Sequence, residues 1–251
     1  MIMVTKNEYR TTTKQNAQVE QVKMNLPVRL MMIGGAVKAS DNSAFNFASK
    51  NVASDYKNDL PVKKFQISNG AKTIVSAIAS QLTNTIQSLD IFCHGDPDGI
   101  YFIIGSSLEK NVENTVKNQL ASNLYISKFQ AIYKGFDRKE NKIKNQYAIS
   151  DLNLKAFTNE SKVEIHGCNT GSGENCFASE FSKQLYNAGK LKSVVIGHAS
   201  KANPNIDGTT SIKEQDYRHG IRIIFHNGKA IKKVTSSGRI SADIIRSALG
   251  N

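Results

Sequence analysis

The sequence contains no tryptophan, only three cysteines and no long apolar run. The odd number of cysteines and their unpaired spacing argue against a disulfide-stapled secreted domain and indicate reduced thiols. No stretch reaches the length of a membrane span, and the N-terminus has no apolar core of signal-peptide length. We therefore expect a protein that spans no membrane and is cytoplasmic, or is exported by a route that uses no cleavable signal peptide.

Acidic residues are also scarce: the chain has 21 of them and 33 lysines and arginines, which gives a net charge of +12. Such a charge would suit nucleic acid, an acidic protein or a membrane surface. The lysines are nevertheless spread along the chain, and no aromatic-interleaved stripe or zinc-finger spacing accompanies them. The densest basic cluster falls in a predicted loop and comprises Lys134, Arg138, Lys139, Lys142 and Lys144. We therefore expect no nucleic-acid partner.

The chain is long enough to bury one sizeable core. Residues 1–26 are polar and show no sustained period, so we interpret them as an extended or partly disordered leader, or as a pro-segment. Residues 27–251 are expected to form a single α/β domain.

Apolar runs alternate with helical stripes along this domain. Strands are predicted at 28–33, 62–67, 89–93, 163–166, 194–196 and 221–225, and helices at 45–56, 74–86, 106–122, 177–185 and 244–249. Between 123 and 160 the pattern weakens, which leaves a short hairpin or an added strand beside the basic loop. This order predicts an α/β fold with a mainly parallel sheet of about six strands, flanked by helices on both faces.

Two predicted strands end in reactive side chains. His94 follows the third strand and Cys168 follows the fourth, and ligands bind outside the carboxyl ends of parallel strands. Both residues adjoin a glycine, which lets a substrate backbone approach and suits an oxyanion hole formed by the backbone N–H groups of Gly95 and Cys168. A nearby imidazolium and the N-terminus of a following helix would both favour the thiolate of Cys168.

The segments Leu-Asp-Ile-Phe-Cys-His-Gly (89–95) and Val-Glu-Ile-His-Gly-Cys (163–168) resemble the two signatures of the caspase-like cysteine peptidases. In that family an apolar strand ends in His-Gly, and a later strand ends in a small residue followed by Cys. The stretch His-Gly-Cys-Asn-Thr-Gly is most similar to bacterial CHAT-type members and toxin-associated protease domains. The resemblance covers roughly residues 28–200. It implies a three-layer caspase-like fold with an insertion at about 105–160.

By the same resemblance, Cys168 corresponds to the nucleophile, His94 to the general base and Gly95 to an oxyanion donor. His166 falls where the family lines its primary specificity pocket. His198 also ends a predicted strand, so it either shapes that pocket or competes with His94 as the base. These residues predict a cysteine endopeptidase that acts on protein or peptide substrates, uses no cofactor or metal, and serves as a bacterial toxin or effector protease.

Three other interpretations stay open. The chain can be a catalytically inactive caspase-like effector or interaction module that uses its basic surface. A zinc site built from Cys168, His94 and His166 is a second alternative, although these residues lack the close spacing of a structural site. Asp96 and Asp98 resemble a fragment of a calcium loop without its remaining ligands, which favours solvated turn residues.

Overall fold

The computed structural model describes residues 26–34, 43–67, 70–102, 122–137, 142–143 and 146–250. Most of the polar leader, most of the predicted helix at 106–122, and Arg138, Lys139 and Lys144 of the basic cluster lie outside the described residues. The helices are α1 (Ser43–Ser54), α2 (Ala71–Ala79), α3 (Lys128–Gly135), α4 (Phe177–Asn187) and α5 (Ala242–Leu249). The strands are β1 (Val28–Ile33), β2 (Val62–Gln66), β3 (Ile86–Phe92), β4 (His94–Asp96), β5 (Gly99–Tyr101), β6 (Leu124–Tyr125), β7 (Phe136–Asp137), β8 (Lys142–Ile143), β9 (Tyr147–Ala148), β10 (Phe157–His166), β11 (Val194–His198), β12 (Arg222–His226) and β13 (Lys229–Val234).

A seven-stranded sheet organises the chain, in the order β13-β12-β11-β10-β3-β1-β2. The five strands from β2 to β11 run parallel, and the hairpin of β12 and β13 completes one side in antiparallel orientation. The predicted α/β class and mainly parallel sheet are therefore confirmed, whereas the expected number of strands was one too low. Within this sheet the strand without a prediction is β13, whose sequence Lys-Ala-Ile-Lys-Lys-Val carries the lysines typical of a protected sheet edge.

Helices cover both faces of this sheet. On the first face α2 and α4 pack on the alternate strand residues that include Leu30, Ile91 and Ile165. On the opposite face α1 packs on Met31, Ile33 and Phe92, and α5 packs on Ile196 and Ile224 further along the sheet. We call this opposite face of the sheet the α1 face. None of the helices among the described residues is long and apolar enough to cross a membrane.

The helix predicted at 74–86 is wrong in its second half. Helix α2 ends at Ala79, Leu82 is 50% exposed, and Ile86 is the first residue of β3. The stripe of isoleucines and leucine at four-residue intervals crosses a chain reversal, in which Asn84 adopts a left-handed φ of 59°. Asn tolerates this conformation, so the reversal needs no glycine to mark it.

Between α1 and α5 the α1 face carries a buried charge cluster, made of Tyr56, Asp90, Lys162, Glu164 and Arg222. The Nζ of Lys162 donates to Oε2 of Glu164 at 2.8 Å, and Arg222 Nη1 donates to Oε1 of the same carboxylate at 2.7 Å. The Tyr56 hydroxyl contacts both Asp90 and Lys162 at 3.3 Å. Although burial opposes its charged form, the two cations hold the pKa of Glu164 well below its usual range.

Removing the charge of Glu164 tests how much folding depends on this cluster. The substitution Glu164→Gln leaves Lys162 and Arg222 buried with less compensation, so we expect the free energy of unfolding to fall by roughly 3–5 kcal/mol. Glu160→Gln is the matched control, because Glu160 lies on the same strand with its side chain 67% exposed. That variant should lose no more than about 1 kcal/mol. Equal losses for the two variants in urea unfolding would contradict the importance of the cluster.

Candidate functional site

Strands β3 and β10 are neighbours, and their register places the two reactive residues at one rim of the sheet. The pairing is parallel and joins Phe92 to His166 as the last residue pair. His94 and Cys168 each follow two residues later, so the same number of residues separates both from the end of the paired region. The segments also touch beyond the strands, since a Cβ added at Gly95 would lie 3.2 Å from the carbonyl oxygen of Cys168.

His94 begins the short strand β4, which pairs with β5 as an antiparallel hairpin and sets His94 opposite Tyr101. The residue is exposed, but its imidazole lies 5.3 Å from the ring of Phe45, centroid to centroid. This partial burial lowers the pKa of His94 below its usual value. The lowered pKa favours the neutral imidazole, which is the form that can accept a proton.

The three cysteines differ in accessibility. Cys93 and Cys176 are buried, and burial raises the pKa of both thiols. Cys168 is half-buried, and its Sγ lies 3.8 Å from the carbonyl oxygen of Ala202. Cys168 is thus the most accessible of the three thiols, and accessibility is a requirement for a nucleophile.

The turn after Cys168 is tied to the end of β11. Asn169 has a left-handed φ of 56°, and its N–H donates to the carbonyl of Ser200 at 2.9 Å. Helix α4 follows only after this turn, and its N-cap is Cys176 rather than Cys168. The first residue of α4, Phe177, thus comes nine positions after Cys168 along the chain, and the expected effect of the helix N-terminus on this thiol stays a prediction. The oxyanion hole at Gly95 and Cys168 stays a prediction.

His166 and His198 lie beneath the rim, both of them buried. The His166 ring stacks on Phe92 at 4.3 Å, and its Nε2 lies 3.2 Å from Oδ1 of Asp90. Nδ1 of His166 and Nε2 of His198 have no hydrogen-bond partner among the described residues. Burial, together with the nearby His166, lowers the pKa of His198 to about 3. His94 is therefore a better candidate for the base than His198. A pocket role for the two buried histidines stays a prediction.

The loop between β11 and β12 is anchored to α1. Asn51 donates to the carbonyls of Lys213 and Gln215 at 3.1 and 2.8 Å, and Arg218 forms an ion pair with Asp55. The Tyr217 ring packs on Phe45 at 5.4 Å. No sequence pattern predicted the contacts of this loop, which join residues more than 160 positions apart. Phe45 belonged to a predicted core stripe, and its contact with His94 was not expected.

The loop residues near the rim have structural roles of their own. Oδ1 of Asp96 accepts hydrogen bonds from the backbone N–H groups of Asp98 and Gly99, and Oδ2 accepts one from the Tyr101 hydroxyl at 2.7 Å. Through these hydrogen bonds Asp96 shapes the β4–β5 turn. Within the described ranges, no group of three or more His, Cys, Asp or Glu side chains is arranged to hold a metal ion.

A cavity of about 200 Å³ lies at the opposite end of the sheet, between α5 and the first residues of the strands. Its walls are rich in cations, namely Arg29, Lys162, Lys192, Arg239 and Arg246. Each of these cations already has a carboxylate partner within 3.4 Å. Two of the carboxylates are shared, however, since Asp59 pairs with both Arg29 and Arg239, and Glu164 pairs with both Lys162 and Arg222. The cations of the cavity are therefore only partly compensated.

The geometry brings Cys168, His94 and Gly95 together at one rim, with His166 and His198 buried below them. No family model, curated protein or solved structure matches this chain. The assignment of a function therefore depends on the arrangement of these residues.

Gly95 is expected to tolerate no side chain because of the turn it faces. A Cβ at this position would lie 2.6 Å from the Cγ2 methyl of Thr170, so Gly95→Ala should reduce the free energy of unfolding by about 1–3 kcal/mol. Thr170→Ser removes that methyl and keeps the hydroxyl that donates to Gly167. The double variant should regain part of the loss in urea unfolding. Strictly additive losses would show that the two segments do not touch.

His198 should make folding sensitive to acid. Its folded pKa of about 3 lies below the value of about 6.5 in an unfolded chain, so the unfolded state binds the proton first as the pH falls. The free energy of unfolding should therefore decrease below about pH 6.5, by up to about 1.4 kcal/mol per pH unit. His198→Asn should flatten this slope in urea unfolding between about pH 7.5 and pH 4.5. An unchanged slope would rule out the contribution of His198.

Proposed function

We propose that this chain is a cysteine endopeptidase with a caspase-like site, in which Cys168 is the nucleophile and His94 is the general base. The observation that supports it most is the shared rim, because the in-register pairing of β3 and β10 puts thiol and imidazole at equivalent positions past adjacent strands. The three-layer arrangement agrees with the same family. The proposed substrates are proteins or peptides.

The reaction follows from the groups at the rim. His94 accepts the thiol proton of Cys168, and the thiolate attacks the carbonyl carbon of the scissile peptide bond. The backbone N–H groups of Gly95 and Cys168 stabilise the resulting oxyanion. The imidazolium then gives its proton to the departing amine, which leaves a thioester on Cys168. Water, deprotonated by His94, hydrolyses the thioester and restores the thiol.

The electrostatics of the site suit this sequence of proton transfers. The lowered pKa of His94 favours the neutral imidazole that the first proton transfer requires. Its exposed surface leaves room for a substrate, while the raised pKa values of the other two thiols make them poor nucleophiles. His94 and Cys168 need no third residue to exchange a proton once they are within hydrogen-bonding reach.

Replacement of Cys168 tests the proposal directly. Cys168→Ala should reduce cleavage of unfolded polypeptides by about 10³-fold or more, because the acyl-enzyme has no atom on which to form. His94→Ala should have a loss of similar size, whereas Cys176→Ala should retain activity. Cleavage is followed by mass spectrometry of the peptide products. Folding of each variant is checked by its urea midpoint.

Alkylation by iodoacetamide separates this enzyme from its main alternative. Rapid, pH-dependent modification of Cys168 that slows in His94→Ala would support the activated thiol. Cleavage that persists in Cys168→Ala would refute the proposed nucleophile. Slow modification of Cys168 that is independent of His94, with no cleavage by the native chain, would favour the inactive interaction module instead.

A further inference from the structure

We propose that Phe45 is a positioning residue that holds the imidazole of His94 in place and is itself held by Tyr217. The inference rests on the proposed function, because it concerns the orientation of the proposed base. Phe45 belongs to helix α1, so this contact joins α1 to the rim formed by β3 and β10. Tyr217 belongs to the loop between β11 and β12, so this loop acts on the same imidazole through Phe45.

The Phe45 ring contacts the rings of both His94 and Tyr217. The centroid of the Phe45 ring lies 5.3 Å from that of His94 and 5.4 Å from that of Tyr217, with interplanar angles of 59° and 46°. These separations are within the range of favourable aromatic pairs. Phe45 and Tyr217 are both buried, while His94 is exposed. The imidazole thus contacts a buried ring while the residue keeps an exposed surface.

Phe45 is well fixed in its own surroundings. It packs in a cluster with Met31 and Ile33 of β1 and with Phe92 at the end of β3. Since Phe92 lies two residues before His94, the same contact that anchors Phe45 also fixes the strand that leads to the base. A small displacement of a positioned catalytic group lowers the rate substantially, so a rigid neighbour of this kind has a direct effect on turnover.

Tyr217 is fixed by the anchoring of its loop. The neighbouring Arg218 pairs with Asp55, and Asn51 binds two backbone carbonyls of the same loop. Helix α1 therefore supports the imidazole through Phe45 and also holds the loop whose Tyr217 contacts Phe45. The lowered pKa of His94 agrees with this contact, since burial is its cause. The titratable residues on the segments next to the imidazole are Asp96, Tyr101 and Cys168.

The first experiment measures His94 without catalysis, in a Cys168→Ala background. The imidazole resonances are titrated by NMR in this variant alone and with Phe45→Leu, Tyr217→Leu or Phe181→Leu added. Loss of the Phe45 ring admits water to the imidazole, so the His94 pKa should rise by roughly half a unit. Tyr217→Leu should raise it less, and Tyr217→Phe, which keeps the ring, should leave it unchanged. Phe181 is buried among α4 side chains under the other face, so its variant controls for lost core packing.

The second experiment measures turnover with Cys168 present. Phe45→Leu should lower kcat by roughly tenfold with little change in KM, and the acid limb of its pH profile should move to higher pH. Phe181→Leu should keep both kcat and the profile, at a comparable loss of urea midpoint.

The outcomes separate this inference from the proposed function. If Phe45→Leu behaves like Phe181→Leu in the titration and in turnover, Phe45 has no positioning role, even when cleavage depends on Cys168. If the native chain has no Cys168-dependent cleavage, the proposed function fails. The titration then decides by itself whether Phe45 governs the imidazole: a rise confined to Phe45→Leu and Tyr217→Leu supports the contact, and its absence overturns it.

Discussion

The register between β3 and β10 is the constraint on which the rim depends. A shift of one residue would move Cys168 by about 3.3 Å relative to His94 and would turn every side chain of β10 to the other face. The alternation of β10 opposes such a shift. Val163 and Ile165 meet Leu89 and Ile91 in the apolar core, whereas Glu164 pairs in register with Asp90 on the α1 face. A slipped strand would have to bury the Glu164 carboxylate among aliphatic side chains, at a cost of several kcal/mol.

The buried charge cluster therefore contributes to specificity as much as to stability. Two cations bind the Glu164 carboxylate, and Arg222 also donates to the carbonyls of Ser236 and Gly238, at 2.8 and 2.9 Å. These bonds hold the segment that leads from β13 to α5. Attraction between buried charges is largely offset by the loss of hydration, so the net gain in stability is modest. A shift in the register of β10 would separate Glu164 from Arg222, which lies on β12, and would leave the buried guanidinium without this carboxylate.

The sequence predicted the parts of this structure that depend on local periodicity. The strands at 28–33 and 62–67 and the stripe from Phe45 to Tyr56 follow patterns of two and of three to four residues, and the structure contains them. The pattern failed where a solvated edge or a chain reversal interrupts it, as at β13 and at Leu82. It also gave no information on the loop that binds α1, because the partners of Asn51 and Asp55 are distant along the chain. The resemblance of residues 89–95 and 163–168 pointed to His94 and Cys168, and the contacts of Phe45 required coordinates.

Glycines at the rim show how closely the ends of three strands converge. A Cβ added at Gly171 would lie 2.5 Å from the carbonyl oxygen of Gly197, and one added at Gly197 would lie 2.7 Å from the backbone nitrogen of Gly171. The turn after Cys168 is thus pressed against β11, while Gly95 lets the segment after β3 approach the same turn from the other side. Backbone on both flanks fixes the position of Cys168, whereas His94 is fixed by its hairpin and by an aromatic side chain. The position of the Cys168 thiol therefore depends on glycines that let backbone segments approach closely, whereas the position of the His94 imidazole depends on the large side chain of Phe45.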